Sequence, residues 1–327
     1  MRPARSWRAS DGSDMAAHYT GDARVLRSQL RILDGATGTE LERRGVPCAL
    51  PLWSTHALLH TPAVLREVHR DYAAAGAHAI TANTFRTQAR VLARAGLASR
   101  AAELCELAVR LAREGAHAAG ADDTLVFGSA PTLEDCYAPE RVPDDATLAR
   151  EHAAHAKNLV RAGVDALLIE TMNTAREAEA ALRAAREAGA NALVSFVCGS
   201  DARLLSGEPL AEAIERVRAL APLAVGVNCA PWAQLAACLT VLRAAALPFF
   251  AYANLGAPAP DGSFIASREL APPRFADEAA RWADAGAAWV GGCCGTQPAH
   301  VAAIVARLAN TSVRATRVRP AGKSAHE

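Results

Sequence analysis

Two adjacent cysteines, Cys293 and Cys294, follow a pair of glycines in the segment GGCCGT (291–296), and Cys229 stands in the earlier segment NCAP (228–231). Thiolates are ligands that Zn²⁺ accepts readily, and three protein ligands with an open fourth position are typical of a catalytic zinc site. Adjacent cysteines reach one ion only where the backbone turns sharply, and the neighbouring glycines give the backbone that freedom. These three cysteines are therefore candidate metal ligands.

The cysteine pair has two other interpretations. Both residues could be small apolar side chains of a core, which is the usual state of a free cysteine. They could also form a redox pair, although adjacent cysteines meet disulfide geometry only with strain. The choice depends on whether the fold brings Cys229 close to Cys293 and Cys294, and hence on the elements that carry them.

The composition indicates a globular protein with small-molecule partners. The chain has 327 residues, 51% of them hydrophobic, with 35 Lys and Arg against 34 Asp and Glu. This near balance gives no indication of a nucleic-acid or membrane-surface partner. Eight cysteines without an apolar leader segment suggest a reducing compartment, so we expect a cytoplasmic protein. No apolar run reaches the length of about 18 residues that a membrane span needs.

One sequence pattern repeats eight times along the chain: a short apolar run, a polar or glycine-bearing turn, and an alanine-rich amphipathic segment. Such runs are typical of parallel strands buried on both faces. Eight β/α units of this size predict an α/β fold, a single (β/α)8 TIM-type barrel over residues 30–312, with a loose N-terminal tail (1–29) and a polar C-terminal tail (313–327). The eight runs are RILD (31–34), AHAITAN (77–83), TLVFGSA (124–130), ALLIE (166–170), NALVSFV (191–197), LAVGVN (223–228), PFFAYAN (248–254) and AAWVGG (287–292).

In such barrels the active site lies at the carboxyl ends of the strands. The predicted strands end in polar, acidic or thiol residues: Asp34, Asn83, Glu170, Asn228 with Cys229, Asn254, and Cys293 with Cys294. Because the sixth and eighth strands are two apart around the ring, their terminal loops can meet. The barrel thus favours Zn²⁺ bound by Cys229, Cys293 and Cys294. Such a site is suited to holding an incoming thiol as a thiolate that attacks a methyl group on a cationic donor.

Asp34 and Glu170 are the two carboxylates at strand ends. They could act as a general acid and base, bind metal, or bind a substrate ammonium group. Because thiol methylation needs no general acid, we favour ammonium binding, with backbone N–H groups of the glycine-rich turn after Asp34 facing a substrate carboxylate. The structural alternatives are a helix N-cap for Asp34 and a buried ion pair with an arginine for Glu170.

Five segments together resemble the homocysteine S-methyltransferase family, over residues 31 to about 309. The resemblance implies the barrel fold, zinc on Cys229, Cys293 and Cys294, homocysteine as the thiol, its amino group on Asp34 and Glu170, and methionine as the product. Asn83 is predicted as a further substrate-binding residue. The segments are LDGATGTELERRG, ITANTF, IETMNTAREAEAAL, GVNC and GGCCGTQPAHVAAI.

The same resemblance bears on the methyl donor. Betaine-using relatives carry an aromatic residue directly after the glutamate of the fourth strand, where this chain has Thr171. A sulfonium such as S-methylmethionine is therefore favoured, with Tyr137, Trp232 and Tyr252 as candidate rings around its charge. Alternatives are betaine, another thiol or selenol acceptor, or a barrel that senses zinc or redox state without catalysis. The sequence predicts no oligomeric state.

Overall fold

The computed structural model describes residues 30–258, 264–267 and 270–317. The predicted N-terminal tail, 1–29, lies outside the described residues, as do residues 318–327. The last helix runs through Arg317, so residues 313–317 of the predicted C-terminal tail are helical. No helix in the described ranges combines the length and apolarity needed to cross a membrane.

Every apolar run singled out in the sequence contains a strand. Eight strands form one parallel sheet, in the order β1-β10-β7-β6-β5-β4-β3-β2, whereas β8 and β9 form a separate antiparallel hairpin that the sequence did not predict. The strands are β1 (Arg31–Ile32), β2 (Ala79–Ala82), β3 (Leu125–Pro131), β4 (Ala166–Met172), β5 (Ala192–Phe196), β6 (Ala224–Pro231), β7 (Phe249–Asn254), β8 (Gly256–Pro258), β9 (Phe264–Ala266) and β10 (Trp289–Gly292).

The first and second strands close the sheet on itself. Leu33 and Ala79 form a parallel bridge. The backbone N–H of His78 donates to the carbonyl of Ile32 at 2.8 Å, and that of Asp34 donates to the carbonyl of Ala79 at 3.0 Å. With both edges of the eight-stranded sheet paired in this way, the single (β/α)8 TIM-type barrel is confirmed.

Alanine-rich helices surround the barrel, and two of them begin at Pro62 and Pro298, since Pro is favoured at the first helical position. The helices are α1 (Gly38–Arg43), α2 (Thr55–His60), α3 (Pro62–Ala74), α4 (Ala89–Ala93), α5 (Ala101–Ala118), α6 (Asp145–Ala162), α7 (Ala175–Glu187), α8 (Leu210–Arg218), α9 (Leu235–Ala244), α10 (Pro272–Asp284) and α11 (Pro298–Arg317).

Large side chains fill the inside of the barrel. Leu33, Phe127, Phe250 and Trp289 belong to one buried cluster, and the rings of Phe127 and Trp289 have their centroids 5.4 Å apart. A second, larger cluster lies between the strands and the helices. Because the interior is packed, ligands have access to the barrel at its ends, where side chains leave the strands.

Candidate functional site

A cavity of about 650 Å³ lies over the carboxyl ends of the strands. Its wall includes residues that follow β1, β2, β3 and β10 and residues of β4, β6 and β7, which are far apart in the sequence. The fold thus brings the predicted zinc ligands and the predicted substrate-binding residues to one place. The six that line the cavity are Asp34, Asn83, Glu170, Cys229, Cys293 and Cys294.

The three cysteines form a cluster on the cavity wall. Their Sγ atoms lie within 4.8 Å of one another. The Sγ of Cys229 is 3.3 Å from that of Cys293 and 3.9 Å from that of Cys294. Four-coordinate zinc with Zn–S bonds of about 2.3 Å holds its sulfur ligands about 3.8 Å apart. All eight cysteines of the chain are free, so the thiols are available, and both the spacing and the donor chemistry of this set fit Zn²⁺.

A tight turn carries the cysteine pair. The carbonyl of Cys293 accepts a hydrogen bond from the backbone N–H of Thr296 at 3.1 Å and another from the Thr296 hydroxyl at 2.7 Å. Gly295 has φ +85°, a conformation that glycine adopts without strain. A Cβ atom at Gly292 would lie 2.3 Å from the Thr296 Oγ1, so only glycine lets the strand end pack against this side chain. Both glycines therefore shape the turn.

Cys229 reaches the cluster because the backbone of β6 deviates from regular strand geometry. The pairing of β6 with β7 shifts register after Asn228, and Cys229 has φ +53°, which is unusual for a residue other than glycine. Asn254 donates to the Cys229 carbonyl at 2.9 Å. The Tyr137 hydroxyl lies 3.3 Å from both the carbonyl oxygen and the Sγ of Cys229 and can donate to either. These contacts hold a strained residue in place, as is common in functional sites.

Asp34 and Glu170 are buried carboxylates that bind hydroxyl and backbone N–H groups. Asp34 accepts from the backbone N–H of Thr81 at 2.7 Å and from its hydroxyl at 3.1 Å. Glu170 accepts from the hydroxyls of Ser129 at 2.5 Å and Tyr252 at 2.8 Å. Burial raises the pKa of each carboxyl group to about 7, against the lowering effect of these hydrogen bonds.

Neither structural alternative for the two carboxylates is observed. The residue at the N-cap of α1 is Thr37, not Asp34. The hydrogen-bond partners of Glu170 are the two hydroxyls, and no arginine in the described part of the chain forms an ion pair with it. Both carboxylates line the cavity, and in the described ranges no cationic side chain forms an ion pair with either one to offset its loss of hydration.

Asn83 lines the cavity, but both polar atoms of its side-chain amide form hydrogen bonds with Ser54. Its Oδ1 accepts from the Ser54 hydroxyl at 2.7 Å, and its Nδ2 donates to the Ser54 carbonyl at 2.8 Å. This pair of bonds fixes the segment that carries Trp53 before α2. A direct contact between Asn83 and a substrate remains a prediction.

Aromatic rings form another part of the wall. Trp53, Phe85 and Phe264 line the cavity, together with the predicted Tyr137 and Tyr252. No sequence motif indicated Trp53, and Phe264 lies on the hairpin strand β9 that was not predicted. Phe85 belongs to the segment ITANTF and could have been found from its position after a strand end.

Trp232, one of the three candidate rings, does not line the cavity. This residue begins a short 3₁₀ turn, Trp232–Gln234, after β6. It packs against the core between the strands and the helices instead of the cavity.

Comparisons with known proteins agree with this arrangement. The sequence profile of the homocysteine S-methyltransferase family matches residues 31–308. The chain is 32% identical over 298 residues to a homocysteine S-methyltransferase of Escherichia coli, covering 86% of this chain and 96% of that protein. It is 29% identical to homocysteine S-methyltransferase YbgG of Bacillus subtilis, over 85% of this chain and 94% of that one.

A solved structure shows the same likeness. The metallated form of the homocysteine methyltransferase MmuM from Escherichia coli superimposes with a TM-score of 0.75 at 30% identity, covering 88% of this chain and 99% of that chain. The family profile, over residues 31–308, spans the barrel and the strand ends that contribute to the cavity. The chain therefore belongs to the homocysteine S-methyltransferase family.

Proposed function

We propose that this protein binds zinc through Cys229, Cys293 and Cys294 and transfers a methyl group from a sulfonium donor, such as S-methylmethionine, to the thiol of homocysteine. Membership of the family supports homocysteine as the acceptor. The observation that carries the proposal is the cluster of three thiols, within 4.8 Å of one another, in a cavity that also holds two buried carboxylates.

The cysteines would hold the ion, which supplies one chemical effect: it keeps the incoming thiol deprotonated at neutral pH. A free thiol, with a pKa near 8.5, is mostly protonated at that pH. The hydroxyl of Tyr137 and the amide of Asn254 hold Cys229 in position. They would fix the direction from which the substrate sulfur enters the site.

Asp34 and Glu170 would bind the ammonium group of homocysteine. Both carboxyl groups have a pKa of about 7 because of burial, and an approaching cation favours their ionised form. The ammonium group and the carboxylates would then offset each other's loss of hydration. This contact orients the amino acid so that its side chain reaches the three cysteines.

The reaction itself moves one methyl group. The homocysteine sulfur forms a bond to the methyl carbon while the bond from that carbon to the sulfonium sulfur breaks, and its electron pair stays on the leaving sulfide. With S-methylmethionine as donor, both products are methionine. No general acid is required because the leaving group is a neutral sulfide. The aromatic rings at the cavity wall suit a cationic donor, and Thr171 after Glu170 supports a sulfonium over betaine.

The test is zinc content and methyl transfer measured on the same anaerobically purified samples. Wild type is compared with Cys229→Ser and with a control, Cys105→Ala, whose thiol is buried in α5 and bonded to Thr87. We expect about one zinc per chain and methionine formation in wild type and the control. Both should be lost in Cys229→Ser. Zinc-free wild type, or zinc and turnover retained in Cys229→Ser, contradicts the proposal.

A further inference from the structure

Arg86 is a positively charged residue in the wall of the same cavity, and the function proposed above does not use it. It follows β2 and the segment ITANTF, and its side chain is partly buried. The Nε atom is buried and has no hydrogen-bond partner in the described part of the chain. The guanidinium carbon lies 5.9 Å from the centre of the Phe85 ring.

The acidic residues near Arg86 have other partners. Glu134 forms ion pairs with Arg90, at 3.0 Å, and with Arg94. Asp135, which lines the cavity, accepts a hydrogen bond from the backbone N–H of Tyr137 at 2.9 Å and forms no ion pair with Arg86. The guanidinium therefore has no carboxylate at contact distance in the described residues. It can offer its N–H groups to a ligand in the cavity.

Burying a cation without a partner costs free energy, so its presence in a cavity points to an anionic group of a ligand. The planar guanidinium matches a carboxylate, to which it donates two parallel hydrogen bonds. In the proposed function, the ammonium group of homocysteine binds Asp34 and Glu170. Its carboxylate then faces the turn after Asp34, residues 35–38, and this turn also lines the cavity. Arg86 is then left for the second substrate.

We propose that Arg86 binds the carboxylate of the methyl donor and thereby selects a zwitterionic donor, an amino-acid sulfonium, over a sulfonium without a carboxylate. This inference rests on the proposed function. Arg86 would repel a donor that carries only positive charge, whereas its guanidinium would attract the carboxylate of an amino-acid sulfonium. The aromatic rings of Trp53, Phe85 and Tyr137 accept the sulfonium end.

The experiment measures kcat/KM for two donors, S-methylmethionine and its carboxamide, with zinc-loaded enzyme and saturating homocysteine. The proteins are wild type, Arg86→Gln, Arg86→Lys and a control, Arg94→Gln, whose arginine is paired with Glu134 outside the cavity. We expect wild type to prefer S-methylmethionine about 10- to 100-fold, as for loss of a hydrogen bond to a charged group. In Arg86→Gln this preference should disappear, with a loss of kcat/KM for S-methylmethionine and no loss for the carboxamide.

Two further readouts separate ligand binding from a structural role. Because the substitution removes an unpaired buried charge, the Tm of Arg86→Gln should equal or exceed that of wild type, and its KM for homocysteine should not change. Arg86→Lys should retain part of the preference, and Arg94→Gln all of it. Equal use of both donors by wild type overturns the assignment, as does an equal loss on both donors in Arg86→Gln. If zinc-loaded wild type forms no methionine from S-methylmethionine, the proposed function itself fails, and the assignment of Arg86 fails with it.

Discussion

The hydroxyl of Tyr252, on β7, donates a 2.8 Å hydrogen bond to Oε2 of Glu170, on β4, across the mouth of the barrel. The same hydroxyl lies 3.1 Å from the Oγ of Ser195 on β5. Three strands thus fix the direction in which the Glu170 carboxylate faces the cavity. A side chain held in this way is prepared to receive an ammonium group without further ordering.

Tyr252→Phe should raise the KM for homocysteine by about 10-fold, since it removes a hydrogen bond to a charged group. Zinc content should not change. Ser195→Ala is the matched control, because it removes the neighbouring contact to Tyr252 but leaves the bond to Glu170. Steady-state kinetics and zinc analysis of both variants check this prediction. An equal rise in KM in the two variants would contradict it.

The two buried carboxylates should make both stability and substrate binding depend on pH. Burial raises the pKa of Asp34 and of Glu170 to about 7 in the folded chain, whereas unfolded carboxyl groups have a pKa near 4. Between these values the folded chain binds more protons than the unfolded chain. The free energy of unfolding, without substrate, therefore falls as the pH rises from about 4 to about 7.

Asp34→Asn should weaken that pH dependence and make the substrate-free protein more stable than wild type at pH 8. Its KM for homocysteine should be at least about 10-fold higher, since one of the charges that face the ammonium group is lost. In wild type this KM should fall as the pH rises through about 7. Denaturant unfolding and kinetics over the pH range check these expectations, with the exposed Asp123→Asn as control. A pH profile in Asp34→Asn that matches wild type would falsify this account.

Thr296 connects the turn after β1 with the cysteine pair. Its hydroxyl donates to the Cys293 carbonyl at 2.7 Å and accepts from the backbone N–H of Ala36 at 3.2 Å. Thr296→Val keeps the shape but leaves the backbone N–H of Ala36 unpaired and removes one of the two hydrogen bonds to the Cys293 carbonyl, at a cost of about 1–3 kcal/mol in the free energy of unfolding. Zinc affinity should fall about 10-fold or more, because groups that orient metal ligands tune binding. Thr296→Ser should retain both the stability and the zinc affinity of wild type. Competition with a zinc chelator measures the difference in zinc affinity between the two variants.

Metal removal should expose the cysteines to oxidation. The Sγ atoms of Cys229 and Cys293 are 3.3 Å apart, so a small movement brings them to the bond length of about 2.05 Å in a disulfide. After chelation in air we expect two of the eight thiols to be lost as a Cys229–Cys293 disulfide, with recovery on reduction and zinc addition. Thiol titration and peptide mapping check this. A Cys293–Cys294 disulfide, or oxidation at the same rate with zinc present, would contradict the prediction.

The pattern of apolar runs was sufficient to predict the barrel. Each run marks a strand because a parallel strand covered on both faces must be apolar along its length. The hairpin of β8 and β9 was not predicted, because its strands have three residues each and no comparable apolar run. These strands are Gly256–Pro258 and Phe264–Ala266. Phe264 in the cavity wall was missed for the same reason.

The sequence by itself determined which residues stand at the ends of the strands. Cys229, Cys293, Cys294, Asp34 and Glu170 were found in this way, because a polar or thiol group directly after a buried strand lies at the mouth of a barrel. This reasoning depends only on order along the chain.

Only the tertiary structure decided what these residues touch. Hydrogen bonds such as Tyr137 to Cys229, Tyr252 to Glu170 and Thr296 to Ala36 join residues 82 or more positions apart. Their partners depend on the register of the sheet and on the course of each loop. The same holds for Trp232, whose ring packs against the buried core and does not line the cavity. The unpartnered guanidinium of Arg86 is likewise visible only when every neighbouring carboxylate has been placed in space.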